Sequence, residues 1–354
     1  MEEQFKVFKN KKILITGHTG FKGSWLSLWL SNIGAKVYGI SLKTKNINHF
    51  NSLKIRGVRS NYFDIKDQNK TRKVFKKIKP DFVFHLAAQA LVKRSYDNST
   101  ETFLSNSIGT LNILEGLKCL KNNCTAVIIT SDKVYKNFEV KRGYKENDII
   151  GGQDPYSASK GCAELIIESY FSSFLKKNKN LRIAVARAGN VIGGGDWSQD
   201  RLIPDCAKSW KNKKPVILRN PNSTRPWQNV LDVIRGYMIL AKTLKANNKL
   251  NGKPFNFGPQ GNENYAVKDV IKILKKNWNK FNFKIKQSKK NYKEANLLKL
   301  NSSKANKILK WKCVLKFNQS VELTANWYKN YFNTKDVRKT SLLTLEKYYY
   351  HLNK

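Results

Sequence analysis

Two short runs carry side chains able to move protons. Tyr156 and Lys160, in "DPYSASKG", stand four residues apart, on one face of any helix that begins near Asp154. A lysine ammonium so placed lowers the pKa of the phenol and lets the tyrosine accept a proton. Upstream, Thr130-Ser131-Asp132-Lys133 sets hydroxyl, carboxyl and amine side by side at the end of an apolar run. A lysine acts as a base there only if desolvation or a neighbouring cation such as Lys160 depresses its pKa.

A third run, "ILITGHTGFKGSWLSLWL", is apolar, turns on Gly17, Gly20 and Gly23, and is apolar again. Gly17 permits a tight turn, Gly20 lets backbone approach a phosphate, and Gly23 lets a helix pack closely on the preceding strand. The helix start then points free amides at an anion. Between a strand and a helix at the head of an alternating series, this is where doubly wound folds hold a dinucleotide pyrophosphate.

The positioning elements follow from periodicity. "KKILIT", "KVYGIS", "VRSNYFDI", "DFVFHLAA", "TAVIITSD" and "LRIAVARAGNV" read as six strands. Between them lie the helices "FKGSWLSLWLSNIG", "DQNKTRKVFKKIK", "SNSIGTLNILEGLKCLK" and "DPYSASKGCAELIIESYFSSFLKK". This alternation predicts an α/β fold, a doubly wound parallel (Rossmann-type) sheet with helices on both faces. We expect residues 1–190 to form that dinucleotide-binding unit. Turn-rich residues 191–330 form a smaller, interleaved C-terminal domain for the substrate, and 331–354 a basic tail or peripheral helix.

At 354 residues and 40% hydrophobic composition, the chain has enough apolar surface for a large core. No apolar stretch approaches the roughly 18 residues of a membrane span, and the N-terminus lacks a secretory pattern, so a cytoplasmic protein without a membrane partner is expected. The five cysteines are scattered and show no metal-ligand spacing, so no metal is expected. The net charge of +42 is dispersed along the chain with abundant asparagine and without a nucleic-acid-binding motif. It reads as a solvated surface and not as specific nucleic-acid binding.

The GxxGxxG spacing, with "YSASK", resembles the extended short-chain dehydrogenase/reductase superfamily over Ile13 to about Gly261. The resemblance implies a cofactor site of Gly17, His18, Thr19, Gly20, Phe21, Lys22 and Gly23, with Asp64 and Ile65 at the adenine. Leu86, Ala87, Ala88 and Gln89 would lie along the cofactor, beside Tyr156 and Lys160. Members that prefer NAD usually carry an acid after the second strand. Here "YGISLKTK" has none, and Lys43 and Lys45 suit a 2′-phosphate, so NAD rests on resemblance alone.

Within that superfamily, Ser131-Asp132-Lys133 is similar to the Thr-Asp-Glu of nucleotide-sugar 4,6-dehydratases. The lysine, together with "AAQALVKRSY", "RAGNVIGGGDW", "DRLIPD" and "RPWQN", resembles the branch that acts on CDP-glucose. Asn229 departs from the histidine usual in the last block. The resemblance implies oxidation at C4, with Tyr156 taking the hydroxyl proton. Water is then lost across C5–C6, with Lys133 as base and Asp132 as acid, and hydride returns to C6. Substrate contacts would come from Ser131, Asn190, Arg201, Leu202, Arg219 and Arg225. Trp197 and Trp227 suit either base stacking or core packing. A homodimer joined through the helices near Ser107–Leu120 and Ala158–Leu175 is also implied. A dTDP-glucose dehydratase, a 4-epimerase, or a basic nucleic-acid-binding protein on the same fold are the rival readings.

Overall fold

The computed structural model describes residues 2–44, 48–218, 220–261, 265–286 and 297–354. Seven strands form one parallel sheet: β1 (Lys12–Thr16), β2 (Lys36–Ser41), β3 (Arg59–Tyr62), β4 (Phe82–His85), β5 (Cys124–Ile129), β6 (Leu181–Ala188) and β7 (Pro254–Phe257). Their spatial order is β7-β6-β5-β4-β1-β2-β3. The order reverses between β1 and β4, which opens a crevice at the carboxyl ends of those two strands.

Strand side chains alternate between faces, and the apolar runs fill both. Ile13, Ile15, Phe82, Phe84, Val127 and Ile129 belong to one core cluster, and Leu14, Val83, Ala126 and Ile128 to the other. Helices α1 (Phe21–Asn32), α5 (Val230–Ala246), α6 (Phe317–Thr334) and α7 (Val337–Leu352) contribute to the first cluster. Helices α2 (Gln68–Ile78), α3 (Gly109–Lys118) and α4 (Pro155–Tyr170) contribute to the second.

The structure adds detail to the expected elements. The helix expected over "SNSIGTLNILEGLKCLK" begins earlier, at Ser99–Phe103, and passes through a π turn at Leu104–Ile108 before α3. A second π turn, Phe171–Leu175, ends α4. The stretch 191–330 supplies α5 and then returns to the sheet as β7, a strand that periodicity alone did not bring out. Residues 337–352 form a helix with one buried face rather than a loose tail. Tyr348 is fully buried, packs edge-on against Trp29 at 5.8 Å, and donates its hydroxyl to Asp232 at 2.8 Å.

Candidate active site

The carboxyl ends of β1, β4, β5 and β6 surround a cleft of about 1440 Å³. Gly17, Thr19, Gly20, Phe21, Lys22 and Gly23 line it, as do Asp64, Ile65 and the run from Leu86 to Gln89. Ser131, Asp132, Lys133, Tyr156 and Lys160 line the same cleft, with Asn190, Arg201, Leu202 and Arg225. Residues spread over more than half the chain thus meet because parallel strands end on one edge.

The glycine turn is sterically specified. A Cβ on Gly17, whose φ is +73°, would stand 2.8 Å from the backbone nitrogen of Ala87. One on Gly23 would stand 2.1 Å from the carbonyl oxygen of Gly17. No side chain caps α1 at Gly20, so its first amides remain available to an anion. A dinucleotide pyrophosphate fits this cradle. Around it, Thr16 shares a hydrogen bond with His85 at 2.6 Å and accepts one from the Ala87 amide at 3.2 Å. Asn106 clasps the backbone of Gln89 from both sides, at 2.8 and 3.0 Å. These bonds hold the β4 end segment along the cleft.

Of the turn residues Gly17 to Gly23, His18 alone does not line the cleft. Its ring is fully buried, shares a 2.8 Å hydrogen bond with Ser60, and fills the space left by the missing side chain of Gly39. Burial lowers its pKa to about 4, so it is a neutral spacer between the turn and β2–β3. At the ribose end, Thr19 and Ser41 share a 2.5 Å hydrogen bond, and Ser41 and Leu42 border the cleft. Lys43 is exposed, and Lys45 lies outside the described residues.

The proton-moving groups sit deeper. Asp154 caps α4, accepting from the Ser157 amide at 3.0 Å, with Pro155 at the first helical position. That start sets the rotation by which Tyr156 and Lys160, 8% and 5% exposed, face the cleft together. Burial pushes the Tyr156 phenol up, while the Ser131 hydroxyl opposite pulls it down. Burial brings Lys160 down to about 8, against the attraction of the Glu164 carboxylate one turn on.

Asp132 is 4% exposed and accepts from the Ser131 hydroxyl at 2.9 Å. Desolvation raises its pKa, opposed by Lys133, Ser131 and Lys22. A carboxyl so placed is fitted to carry a proton. Gly189 lies against it, where a Cβ would stand 3.1 Å from a carboxylate oxygen. Lys133 is half-buried beside it and lines the cleft. Lys22 does more than border the phosphate turn. Burial, with the charges of Arg201 and Lys160, brings its ammonium down to about 8, while Asp132 and Asp196 work against that shift.

On the far wall, Arg201 approaches Asp196 at 3.5 Å, and Leu202 opens the helix Leu202–Lys211, which no side chain caps. Only the Leu202 and Ile203 amides are free there, since Pro204 has no N–H and the Asp205 amide donates to the Arg201 carbonyl at 3.0 Å; Arg201, Leu202 and Ile203 all line the cleft. Asn190 and Arg225 flank them, while Arg219 lies outside the described residues. The two tryptophans part company. Trp197 packs into an aromatic cluster with Tyr328 and Tyr331, at 5.3 and 5.2 Å. Trp227 lines the cleft and donates to the Tyr265 carbonyl at 3.0 Å. Asn229 is buried and caps α5 through the Leu231 amide at 3.0 Å, so the departure in "RPWQN" serves a helix end.

Sequence reasoning passed over Lys93, Arg94 and Tyr96 on the short helix Val92–Asp97, all on the cleft wall. Lys93 reaches Asp200 on the opposite wall at 3.2 Å. The pair of cations directly after the β4 end segment was the available signal.

A doubly wound sheet with a Tyr–Lys pair and an acid-bearing strand end beside its glycine turn is the arrangement of a short-chain dehydrogenase/reductase. The GDP-mannose 4,6-dehydratase family profile matches residues 14–324, and the chain belongs to that family. A CDP-glucose 4,6-dehydratase of Salmonella typhimurium is 39% identical over 336 residues, covering 93% of this chain and 94% of its own. Among solved structures, the epimerase Mth375 of Methanothermobacter thermautotrophicus has a TM-score of 0.81 at 24% identity, over 96% of this chain and 97% of its own. A dTDP-glucose 4,6-dehydratase of Bacillus anthracis, in complex with NAD, has a TM-score of 0.75 at 20% identity, over 92% and 99%.

Proposed function

We propose that the chain removes water from CDP-glucose, giving CDP-4-dehydro-6-deoxyglucose, with NAD held between the glycine turn and the ends of β4 and β5. The observation that carries this reading is the joint placement of Ser131, Asp132 and Lys133 with Tyr156 and Lys160 in one cleft. When bound, NAD supplies a hydride acceptor at C4 and a donor at C6. Tyr156 takes the C4 hydroxyl proton, with Ser131 holding the same oxygen and Lys160 keeping positive charge near the phenol. The C4 ketone acidifies the C5 proton, which Lys133 removes; C5 is reprotonated once hydride has reached C6. Asp132, the buried carboxyl, gives its proton to the departing C6 hydroxyl. Arg201, Arg225 and the amides of Leu202 and Ile203 supply the cationic and backbone donors that a diphosphate needs. The 39% identity to a CDP-glucose enzyme supports the choice of nucleotide.

Incubation with CDP-glucose, dTDP-glucose, GDP-mannose and UDP-GlcNAc in turn tests the reading. Loss of one water by mass, with CDP-glucose preferred and no net reduced coenzyme, is expected. Preference for dTDP-glucose would overturn the nucleotide, and a product of unchanged mass would indicate a 4-epimerase, which has no need of Asp132 and Lys133 together.

The same reading includes a cytoplasmic homodimer. Leu104, Ile108, Leu165 and Phe174, 40–57% exposed, mark the outer faces of the Ser99–Lys118 and Pro155–Leu175 helical segments. Among the described residues no helix is long and apolar enough to cross a membrane. Sedimentation of Leu165→Asp, expected monomeric against a dimeric parent, checks the interface; a monomeric parent would refute it.

A further inference from the structure

Beneath the cleft floor lies a buried ion pair that the chemistry above does not use. Arg187 on β6 donates from Nε and Nη2 to the two carboxylate oxygens of Glu164 on α4, both at 2.9 Å. The side chains are only 3% and 4% exposed. A buried pair of this kind does little for net stability, because desolvation offsets much of the attraction. Its partners are more informative than its energy.

Thr130 donates its hydroxyl to Glu164 at 2.6 Å. Arg187 donates from Nη1 to the Tyr135 hydroxyl at 2.8 Å, and Tyr135 donates onward to Asn256 on β7 at 2.8 Å. The Tyr135 ring also stacks on Tyr144, with centroids 5.0 Å apart. Thr130 immediately precedes Ser131-Asp132-Lys133, and Tyr135 follows Lys133 by two residues. Both ends of the acid–base segment are therefore tied to one ion pair. Two residues past Arg187, Gly189 lies beside the Asp132 carboxylate.

We propose that the Arg187–Glu164 pair is a positioning unit that brackets residues 131–134 through Thr130 and Tyr135, fixing Asp132 and Lys133 over the C5–C6 bond. The inference rests on the dehydratase reading for its kinetic consequence. The bracket orients the groups that remove water and does not touch the glycine turn; its link to the cofactor side is the attraction between Glu164 and Lys160. Glu164 and Arg187 lie outside the cleft lining, whereas Thr130 and Tyr135 also border it, so a split between kcat and KM separates positioning from direct contact.

Because breaking the ion pair itself leaves an unpaired buried charge, the test removes only the anchors, as Thr130→Val and Tyr135→Phe. Misplacement of a reacting group by about an ångström costs on the order of a hundredfold in rate. Each variant is expected to lose about ten- to a hundredfold in kcat for water loss, with KM and NAD affinity within about twofold of the parent. Reduced nicotinamide should build up during turnover, because oxidation at C4 no longer passes promptly into elimination. The double variant should lose less than the product of the single losses, since both anchors hold one segment. Parallel amide hydrogen exchange on the ligand-free protein should show faster exchange at residues 131–134, with α1 unchanged.

Unchanged kcat and unchanged exchange in both variants would overturn the bracket. Losses in NAD affinity and kcat together, without build-up of reduced nicotinamide, would assign the residues a merely structural role. If the parent removes water from no nucleotide sugar, the dehydratase reading fails, and the exchange data alone decide whether the segment is bracketed.

Discussion

Replacing Gly23 by alanine puts the glycine turn to its most direct test. The added Cβ would lie 2.1 Å from the Gly17 carbonyl oxygen and 2.8 Å from both the Gly17 carbonyl carbon and the His18 Cα. These contacts fall well inside the 3.4 Å at which ordinary contact begins, and all three atoms are backbone. No rotamer change relieves them. Only movement of α1 away from the β1 turn does, and that disturbs Trp25 and Leu26, which are essentially fully buried. Overpacking of this kind costs about 1–3 kcal/mol. The same movement withdraws the first amides of α1 from the anion position, and each 1.4 kcal/mol lost there weakens binding about tenfold.

Gly20→Ala is the matched comparison, because its Cβ meets only the Gly17 oxygen, at 3.2 Å. A few tenths of an ångström suffice to accommodate it, yet the methyl group stands where backbone approaches phosphate. Thermal denaturation without ligand and calorimetric titration with NAD separate the two effects. Gly23→Ala should lower the melting temperature by several degrees and weaken NAD binding at least about tenfold. Gly20→Ala should weaken binding with little change in melting. A Gly23→Ala protein that melts and binds like the parent would refute the steric argument.

Three further outcomes follow from the same geometry. Asp132→Asn should slow water loss by about 10²–10⁴-fold while NAD binding holds, and retention of a tenth of the parent rate would remove Asp132 as the acid. Lys22, brought down to about 8 from an ordinary 10.5, burdens the fold while charged, below about pH 8. The unfolded chain keeps that proton up to the ordinary value, so ligand-free stability should rise between about pH 8 and 10.5; Lys160 contributes over the same window, so Lys22→Met should reduce the rise without abolishing it. Tyr348→Phe removes the hydroxyl donated to Asp232, whose pKa burial already pushes up to about 6. Loss of that donor should cost about 1–3 kcal/mol at neutral pH in chemical denaturation. Because this carboxyl protonates more readily folded than unfolded, its burden is relieved as pH falls below about 6, and the difference from the parent should shrink there.

Much of the site is legible in the amino-acid order, because its signals are local. Gly17, Gly20 and Gly23 act over one turn, Asp154 and Pro155 over the first turn of α4, and the spacing of Tyr156 and Lys160 over one helical repeat. Alternating strands and helices bring the ends of β1, β4, β5 and β6 to one edge, so the grouping of Ser131–Lys133 with the glycine turn follows from topology. Other features have no local signal. The inward turn of His18 depends on Gly39 and Ser60, contributed by β2 and β3. Trp197 and Trp227 look alike in sequence, yet the first packs half-buried against the aromatic residues of α6 while the second is buried at the cleft wall. The bracket joins Glu164 to Arg187, and Tyr135 to Asn256 on the last strand of the sheet. Spacing records what one helix or turn can do by itself. Which buried carboxylate meets which guanidinium is settled only when distant segments exclude water from the same volume, and that depends on the whole packed chain.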